Sequence, residues 1–253
     1  MVERTEVRTY PEAAVPAQLR SQVDALREEA WPGLGGGHDP ALNAVTVLLI
    51  VAREEERVGE EEGGGGEGGE AESEGRSGGR GAGNERSEGR GGGRGAGNER
   101  GEGREGGRGA GSAGREPPVV AVLDILSKDI EHGGRTYRAS GLSAVVTGAA
   151  HRGSGHGRQL VAAAREVIAR SGADVGLFTC DRPLRGFYES AGWSVLEGSV
   201  LVGGTPDAPF PSDRPGFDKV TLAGFFTDRA KRDAEAFRHS RIALFPGGID
   251  RLW

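Results

Sequence analysis

Cysteine is almost missing from this chain. Cys180 is the only one in 253 residues, which excludes an intrachain disulfide. Long apolar runs are missing as well. The longest, Val45 to Ala52, falls far short of the about 20 residues that span a bilayer. The start, Met1-Val2-Glu3-Arg4-Thr5, has no apolar run and no cleavage pattern. These absences predict a soluble, cytoplasmic protein with no membrane partner. An excess of positive charge is lacking too, with 32 Lys and Arg against 38 Asp and Glu and a net charge of -6. That argues against a dedicated nucleic-acid binder and suits a pocket that admits cationic amines.

Apolar residues are almost absent from 53–117, which is nearly all Gly, Glu and Arg. Within it, RGAGNERSEGRGGG at 80–93 is followed by RGAGNERGEGREGG at 94–107, and a third copy decays from Arg108. The repeat has no Leu, Ile, Val, Phe, Tyr or Trp, so stacked copies would bury nothing and no solenoid can form. The composition predicts a disordered insertion. An RNA-binding arginine–glycine segment is one reading. Glu interleaved with Arg, and no aromatics to stack bases, favour a simple repeat expansion in a strand–strand loop. Such a loop is tolerable because closure entropy grows only logarithmically with length. Taking it out leaves roughly 190 residues, enough for one domain with a substantial core, so 1–253 reads as a single domain with an insertion.

Around the insertion the pattern alternates between strand and helix. Glu6 to Tyr10 predicts a short strand, and Pro16 to Trp31 an amphipathic helix with Leu19, Val23, Leu26 and Ala30 on one face. Ala44 to Ala52 and Val119 to Ser127 read as strands by their β-branched content. His132-Gly133-Gly134 predicts a turn, and Arg135 to Thr147 a long strand. A helix over Gly155 to Arg170 follows, with Gly172 near its stop. Then come a strand at Asp174 to Cys180, a short helix at Pro183 to Ala191 and strands at Ser194 to Val202 and Lys219 to Phe226. Thr227 to His239 looks helical, and Arg241 to Leu244 could add a strand. A meander feeding a β–α–β unit is α+β.

The stretch Val145 to Leu160 is the most informative. It predicts a strand, a loop with Gly153, Gly155 and Gly157, and a helix start. The first amides of a helix have no intrahelical partner, and the helix dipole makes that end electropositive. The glycines remove side chains that would hold an anion away, and Arg152 and Arg158 add charge. The prediction is a phosphate or pyrophosphate site, with a ligand-free glycine-rich turn as the bland alternative. The pattern is neither G-x-G-x-x-G nor a P-loop.

What stands here, Arg152-x-x-Gly155-x-Gly157, resembles the acetyl-CoA loop of the GCN5-related N-acetyltransferase (GNAT) superfamily. The order of elements is similar to that superfamily along the whole chain except the insertion. The resemblance implies a three-layer α/β/α fold of the α+β class, with a mixed, mostly antiparallel seven-stranded sheet splayed between strands four and five. It also implies acetyl-CoA as co-substrate, without a metal, and direct transfer to the amine of a small molecule. Arg152, Gly153, Ser154, Gly155, His156, Gly157 and Arg158 would hold the pyrophosphate, and the backbones of Val145, Val146 and Thr147 the pantetheine arm. The segment Phe187-Tyr188-Glu189-Ser190-Ala191-Gly192-Trp193 looks like the family's F-Y-x-x-x-G-F/W, which makes Tyr188 the candidate acid for the departing thiolate.

The base is less legible. Many family members carry a Glu on the fourth strand several residues before the loop; in aminoglycoside 2'-N-acetyltransferases it stands nine residues before the loop Arg, and here that position is Ser143. Asp124, Asp181 or a water chain ending at a carboxylate are the substitutes, with Asp124 the catalytic candidate. Cys180 reads as a buried thiol. The chain distantly resembles aminoglycoside 2'-N-acetyltransferases in its order and in ending with Trp. That implies that Asp250 and Trp253 can line an acceptor pocket, while a terminus packed by Leu252 and Trp253 is the alternative. The missing Glu keeps a second class open, an acetyl-CoA-binding sensor without turnover. The oligomeric state is not legible, and a homodimer is among the forms allowed.

Overall fold

The β-branched runs pair side by side. In the computed structural model, which describes residues 3–33, 37–53 and 117–253, four strands form an antiparallel meander. They are β1 (Glu3–Pro11), β2 (Val45–Arg53), β3 (Val119–His132) and β4 (Arg135–Thr147). All described residues belong to the unit Met1–Glu55 plus Arg115–Trp253. The expected disorder of 53–117 and its repeat lie outside the described residues. The strands on either side of that insertion are antiparallel neighbours, with Leu48 opposite Val122.

The run VTVLLIVA is apolar without alternation because both faces of β2 are covered. Val47, Leu49 and Val51 pack in one cluster with Leu160, Val161, Ala164 and Ile168 of α2 (His156–Arg170). Leu48 and Ile50 point the other way, to Leu19 and Val23 of α1 (Ala17–Ala30). The result is helix, sheet, helix: the three-layer α+β architecture expected from the sequence. No helix among the described residues is long and apolar enough to cross a membrane.

After α2 come β5 (Val175–Asp181), α3 (Arg185–Ser190), β6 (Ser194–Val195), β7 (Val200–Gly204), β8 (Pro209–Pro211), β9 (Lys219–Phe225), α4 (Asp228–Asp233) and β10 (Arg241–Ala243). The seven-stranded sheet runs β1-β2-β3-β4-β5-β9-β6, and β10-β7-β8 make a second, small sheet. Strands β4 and β5 are parallel and pair only at Ala139 with Val175 and Ser140 with Gly176. Beyond Ser140 they splay, which leaves that edge of β4 without a strand partner among the described residues. Gly141 sits where they part. A Cβ there would lie 2.5 Å from the Leu177 carbonyl oxygen and 2.5 Å from the Trp253 indole. Gly141→Ala is expected to destabilise the fold by about 1–3 kcal/mol through overpacking, measurable by urea unfolding.

Three elements differ from the sequence reading. The single strand expected over Ser194 to Val202 is two, β6 and β7, in different sheets. A turn at Gly198, with φ of +67°, redirects the chain between them. The helix expected over Thr227 to His239 ends early. α4 passes into a 3-10 turn, Ala234–Phe237, which buries Phe237 against Tyr137 and Phe225. Strand β8 forms inside the Pro-rich loop, with Val202 opposite Pro211.

Candidate active site

The glycine-punctuated loop folds as its composition demands. After β4 the chain makes a 3-10 turn, Ala149–His151, and Gly153 and Gly155 adopt φ of +80° and +82°. Those left-handed angles favour glycine, and no side chain crowds either position. Gly155 is the N-cap of α2 and offers no capping side chain. The first helical bond runs from the Gln159 N–H to the Gly155 carbonyl at 3.0 Å, so the amides of His156, Gly157 and Arg158 precede it. Ser154 and Arg158 are exposed. Arg152 donates from Nε to the Thr147 carbonyl at 3.0 Å, which turns its guanidinium back toward the end of β4.

A cavity of about 280 Å³ opens beside that arginine, lined by Ala30, Val145, Val146, Thr147, Arg152, Leu184, Phe187 and Tyr188. The fold brings to one groove three features that the sequence singled out: the end of β4, the loop arginine and the tyrosine of α3. Tyr188 is 7% exposed, its ring edge-on to Phe178 and Phe187 at 5.1 and 4.9 Å. Burial first, and then the neighbouring Cys180 and Asp181, push its phenol above the ordinary value, so it holds its proton at neutral pH. Gly192, with φ of +91°, ends α3 and lets Trp193 drop into the core.

One residue upstream, β4 carries a bulge. Val122 faces Val146 and Asp124 faces Ser143, so β4 spends one extra residue against β3, and Ala144 takes φ of +48°. The bulge matters because its neighbours serve different cavities. Val145 lines the groove just described. Ala144 lines a larger cavity of about 740 Å³, together with Glu12, Arg20, Asp24, Arg27, Glu28, Trp31, Gly33, Gly37, His38, Ile249 and Asp250.

Asp124 does not line either cavity. It is 0% exposed and lies directly across from Ser143, the position where the resemblance placed a Glu. Its carboxylate is fully engaged: Thr46 Oγ1 donates to Oδ1 at 2.7 Å, and Arg27 and His38 Nε2 reach Oδ2, the latter at 3.0 Å. His38 is a member of this network that the sequence reading did not mark. It lies in the turn-rich loop before β2, where no spacing marked it. Its Nδ1 is 2.5 Å from Asp250 Oδ1, and the Asp39 N–H donates to Asp250 Oδ2 at 3.1 Å. Burial alone would lower the His38 pKa. Hydrogen bonds and charge from Asp124 and Asp250 outweigh it and raise the value to about 10. Burial works to raise the Asp250 pKa, but His38 and the Asp39 amide leave it below the ordinary value.

The two ring nitrogens of His38 point to opposite carboxylates, so this trio does not converge on one ion. Among the described residues no group of three His, Cys, Asp or Glu is arranged to hold a metal. Asp250 is 7% exposed and lines the larger cavity. Trp253 is not part of that lining. It packs against two core clusters beside Gly141, with its indole N–H buried and without a hydrogen-bond partner among the described residues. Asp181 pairs with Lys219 Nζ at 2.8 Å and makes no side-chain cap. Cys180 is buried, and burial, then Asp181, pushes its thiol to about 11, which leaves it unreactive at neutral pH.

No family model matches the sequence, and no curated protein matches it. Among solved structures, Escherichia coli ElaA is similar with a TM-score of 0.44 at 14% identity, over 87% of this chain and 99% of that one. An acyl-CoA N-acyltransferase from Pseudomonas aeruginosa gives 0.42 at 12% identity, over 87% and 99%. A GCN5-related N-acetyltransferase from Kribbella flavida gives 0.29 at 24% identity, over 32% of this chain and 20% of that one. The site's own geometry carries the functional reading that follows.

Proposed function

We propose that the protein is an acetyl-CoA-dependent N-acetyltransferase that acts on the amine of a small molecule. One observation carries the reading: adjacent residues of the β4 bulge wall two cavities, Val145 the groove and Ala144 the larger cavity. A thioester in the groove and an amine in the cavity would face each other across that bulge. The residues fit coenzyme A. Free amides at the start of α2, with Arg152 and Arg158, suit a diphosphate. Among the described residues the β4 edge beyond Ser140 has no strand partner, so Val145, Val146 and Thr147 can pair with an amide-bearing arm.

Bound acetyl-CoA supplies an activated acyl group. The amine nitrogen forms a bond to the carbonyl carbon while the carbon–sulfur bond breaks. Tyr188 gives its phenol proton to the departing thiolate and regains one from solvent. The acceptor ammonium sits against Asp250, the carboxylate that faces the cavity; it gives one proton to cavity water before the nitrogen attacks, and the second N–H proton follows to solvent as the amide forms. Asp124, walled off and hydrogen-bonded on both oxygens, anchors the site. Glu12, Asp24, Glu28 and Asp250 outnumber Arg20, Arg27 and His38 on the lining, which favours a cationic acceptor, and the exposed Trp31 offers a face for its body. Aminoglycosides belong in the first panel of amines, because each carries several ammonium groups. The cytoplasm is the proposed compartment, because its metabolism supplies acetyl-CoA.

Tyr188→Phe tests the reading. Turnover of the best amine should fall by about 10²–10⁴-fold, the usual worth of a positioned acid, while CoA affinity is unchanged. Unchanged turnover removes Tyr188 from the mechanism. The Ser at position 143 supports a second reading, an acetyl-CoA sensor. That reading wins if the unmodified protein binds CoA and acetylates no amine in the panel.

A further inference from the structure

We infer that His38 is a positioning residue for the acceptor side: its ring latches the C-terminal tail to β3 and so sets the Asp250 carboxylate in the cavity wall. The kinetic part of this inference rests on the acyltransferase reading; the latch itself does not.

The geometry is a bridge. Asp124 comes from the middle of the sheet, Asp250 from the last turn of the chain, and His38 spans them with one nitrogen each, at 3.0 and 2.5 Å. Two carboxylates can both accept from one ring only if both nitrogens carry protons, so the bridge is an imidazolium. A neutral ring would turn one lone pair toward a carboxylate and open that side. Asp39, next in the chain, adds its N–H to the free oxygen of Asp250. Both oxygens of the tail carboxylate are therefore held by consecutive residues of one loop.

The surrounding charges favour the charged ring. Asp124 on β3 and Asp250 on the tail face it, Arg27 on α1 shares Asp124, and Glu12, Asp24 and Glu28 line the same cavity. The folded His38 pKa stands at about 10 against 6.5, so its stabilisation is full below 6.5 and is lost as pH rises through 10. The Asp250 value is lowered from 3.8, so its share is present above 3.8 and fades as pH falls through the folded value. The latch therefore stays closed across neutral pH. It is a fixed strut for the pocket, and it does not act as a physiological switch.

The rest of the tail has its own anchors. The Gly204 N–H donates to the Arg251 carbonyl at 2.9 Å, and the Gly247 N–H to the Gly204 carbonyl at 3.0 Å. Removing the imidazole should thus free the Asp250 side chain and its neighbours without stripping the tail from β7. Because His38 acts through Asp250, the cost should fall on binding of the amine, with little change at the thioester.

The test uses the full chain with His38→Ala and the milder His38→Gln, each followed by hydrogen exchange of the tail and by steady-state kinetics. Exchange over 247–252 should rise at pH 7, and the KM for the amine should rise about 10- to 100-fold, the size of losing one charge-assisted hydrogen bond. CoA affinity should hold, and kcat should change less than KM. Adding Asp250→Asn to His38→Ala should cost little more than either change alone, because the two act through one carboxylate. Unchanged tail exchange in both variants overturns the latch, and so does a fall in kcat at constant KM. If the unmodified protein acetylates no amine, the transferase reading fails by itself, and tail exchange still decides the latch. If His38→Ala does not fold, His38→Gln carries the same measurements.

Discussion

Gly157→Val is expected to weaken CoA binding by at least about 100-fold, or some 2.7 kcal/mol. A Cβ at this position would stand 2.8 Å from Thr147 Oγ1 and 3.4 Å from the Phe187 ring. Both residues wall the groove that would take the pantetheine arm. The added side chain must push them apart or move the start of α2, and either shift takes the helix amides away from a diphosphate. The helix itself should not suffer, since glycine is the poorer helix former. Gly172→Val is the control. That glycine lies just past the other end of α2 with φ of +80° and open space around it. The change should cost stability through backbone strain, on the order of 1–3 kcal/mol, and leave affinity alone. Calorimetry with CoA and thermal unfolding separate the two outcomes. Equal CoA affinity in Gly157→Val and the unmodified protein would remove the pyrophosphate site, and the transferase with it.

The second large effect is expected at Asp124. Asp124→Ala should destabilise the protein by about 3–5 kcal/mol, because it strands two partly buried cations that the fully buried carboxylate now neutralises. Arg27 already has its Nε buried without a partner, and His38 would keep only Asp250. In a domain of this size that loss lowers Tm by roughly 10 °C. Ser143→Ala, across the same strand pair, should change stability by less than about 0.5 kcal/mol. Urea unfolding of the three proteins checks both numbers. A small effect at Asp124 would mean that the cations find water when the carboxylate goes. The role of Asp124 as an anchor would then fall.

These two residues mark how far the site was legible in the chain. Gly157 could be singled out because a helix N-terminus with small residues leaves a local pattern. Tyr188 was legible only through the resemblance of its segment to a family motif. Asp124 stood out as a carboxylate in an apolar strand, but its neighbours could not be named. Arg27, His38, Thr46 and Asp250 come from four different elements, and nothing in their spacing links them. His38 was passed over because an isolated histidine in a turn-rich loop carries no periodicity. The break of Ser194 to Val202 into β6 and β7 was equally hidden, since an apolar run does not say which sheet each half will join. Trp253 had two readings, an acceptor-pocket wall or a packed terminus, and it packs against the core, where its ring covers Gly141 at the point where β4 leaves β5.

By itself the sequence determined the elements governed by local physics. The apolar periodicities set the meander and both helices against it. The left-handed glycines set the loop, and the run of β2 announced a strand covered on both sides. Only the tertiary structure decided which polar groups share a site. It set a bulge at Ala144 between two cavities, and it carried the last turn of the chain back to β3 through one imidazole. The reason is range: backbone preference and hydrophobic period act over a few residues. A buried charge is matched with whatever partner the fold delivers, from anywhere in the chain.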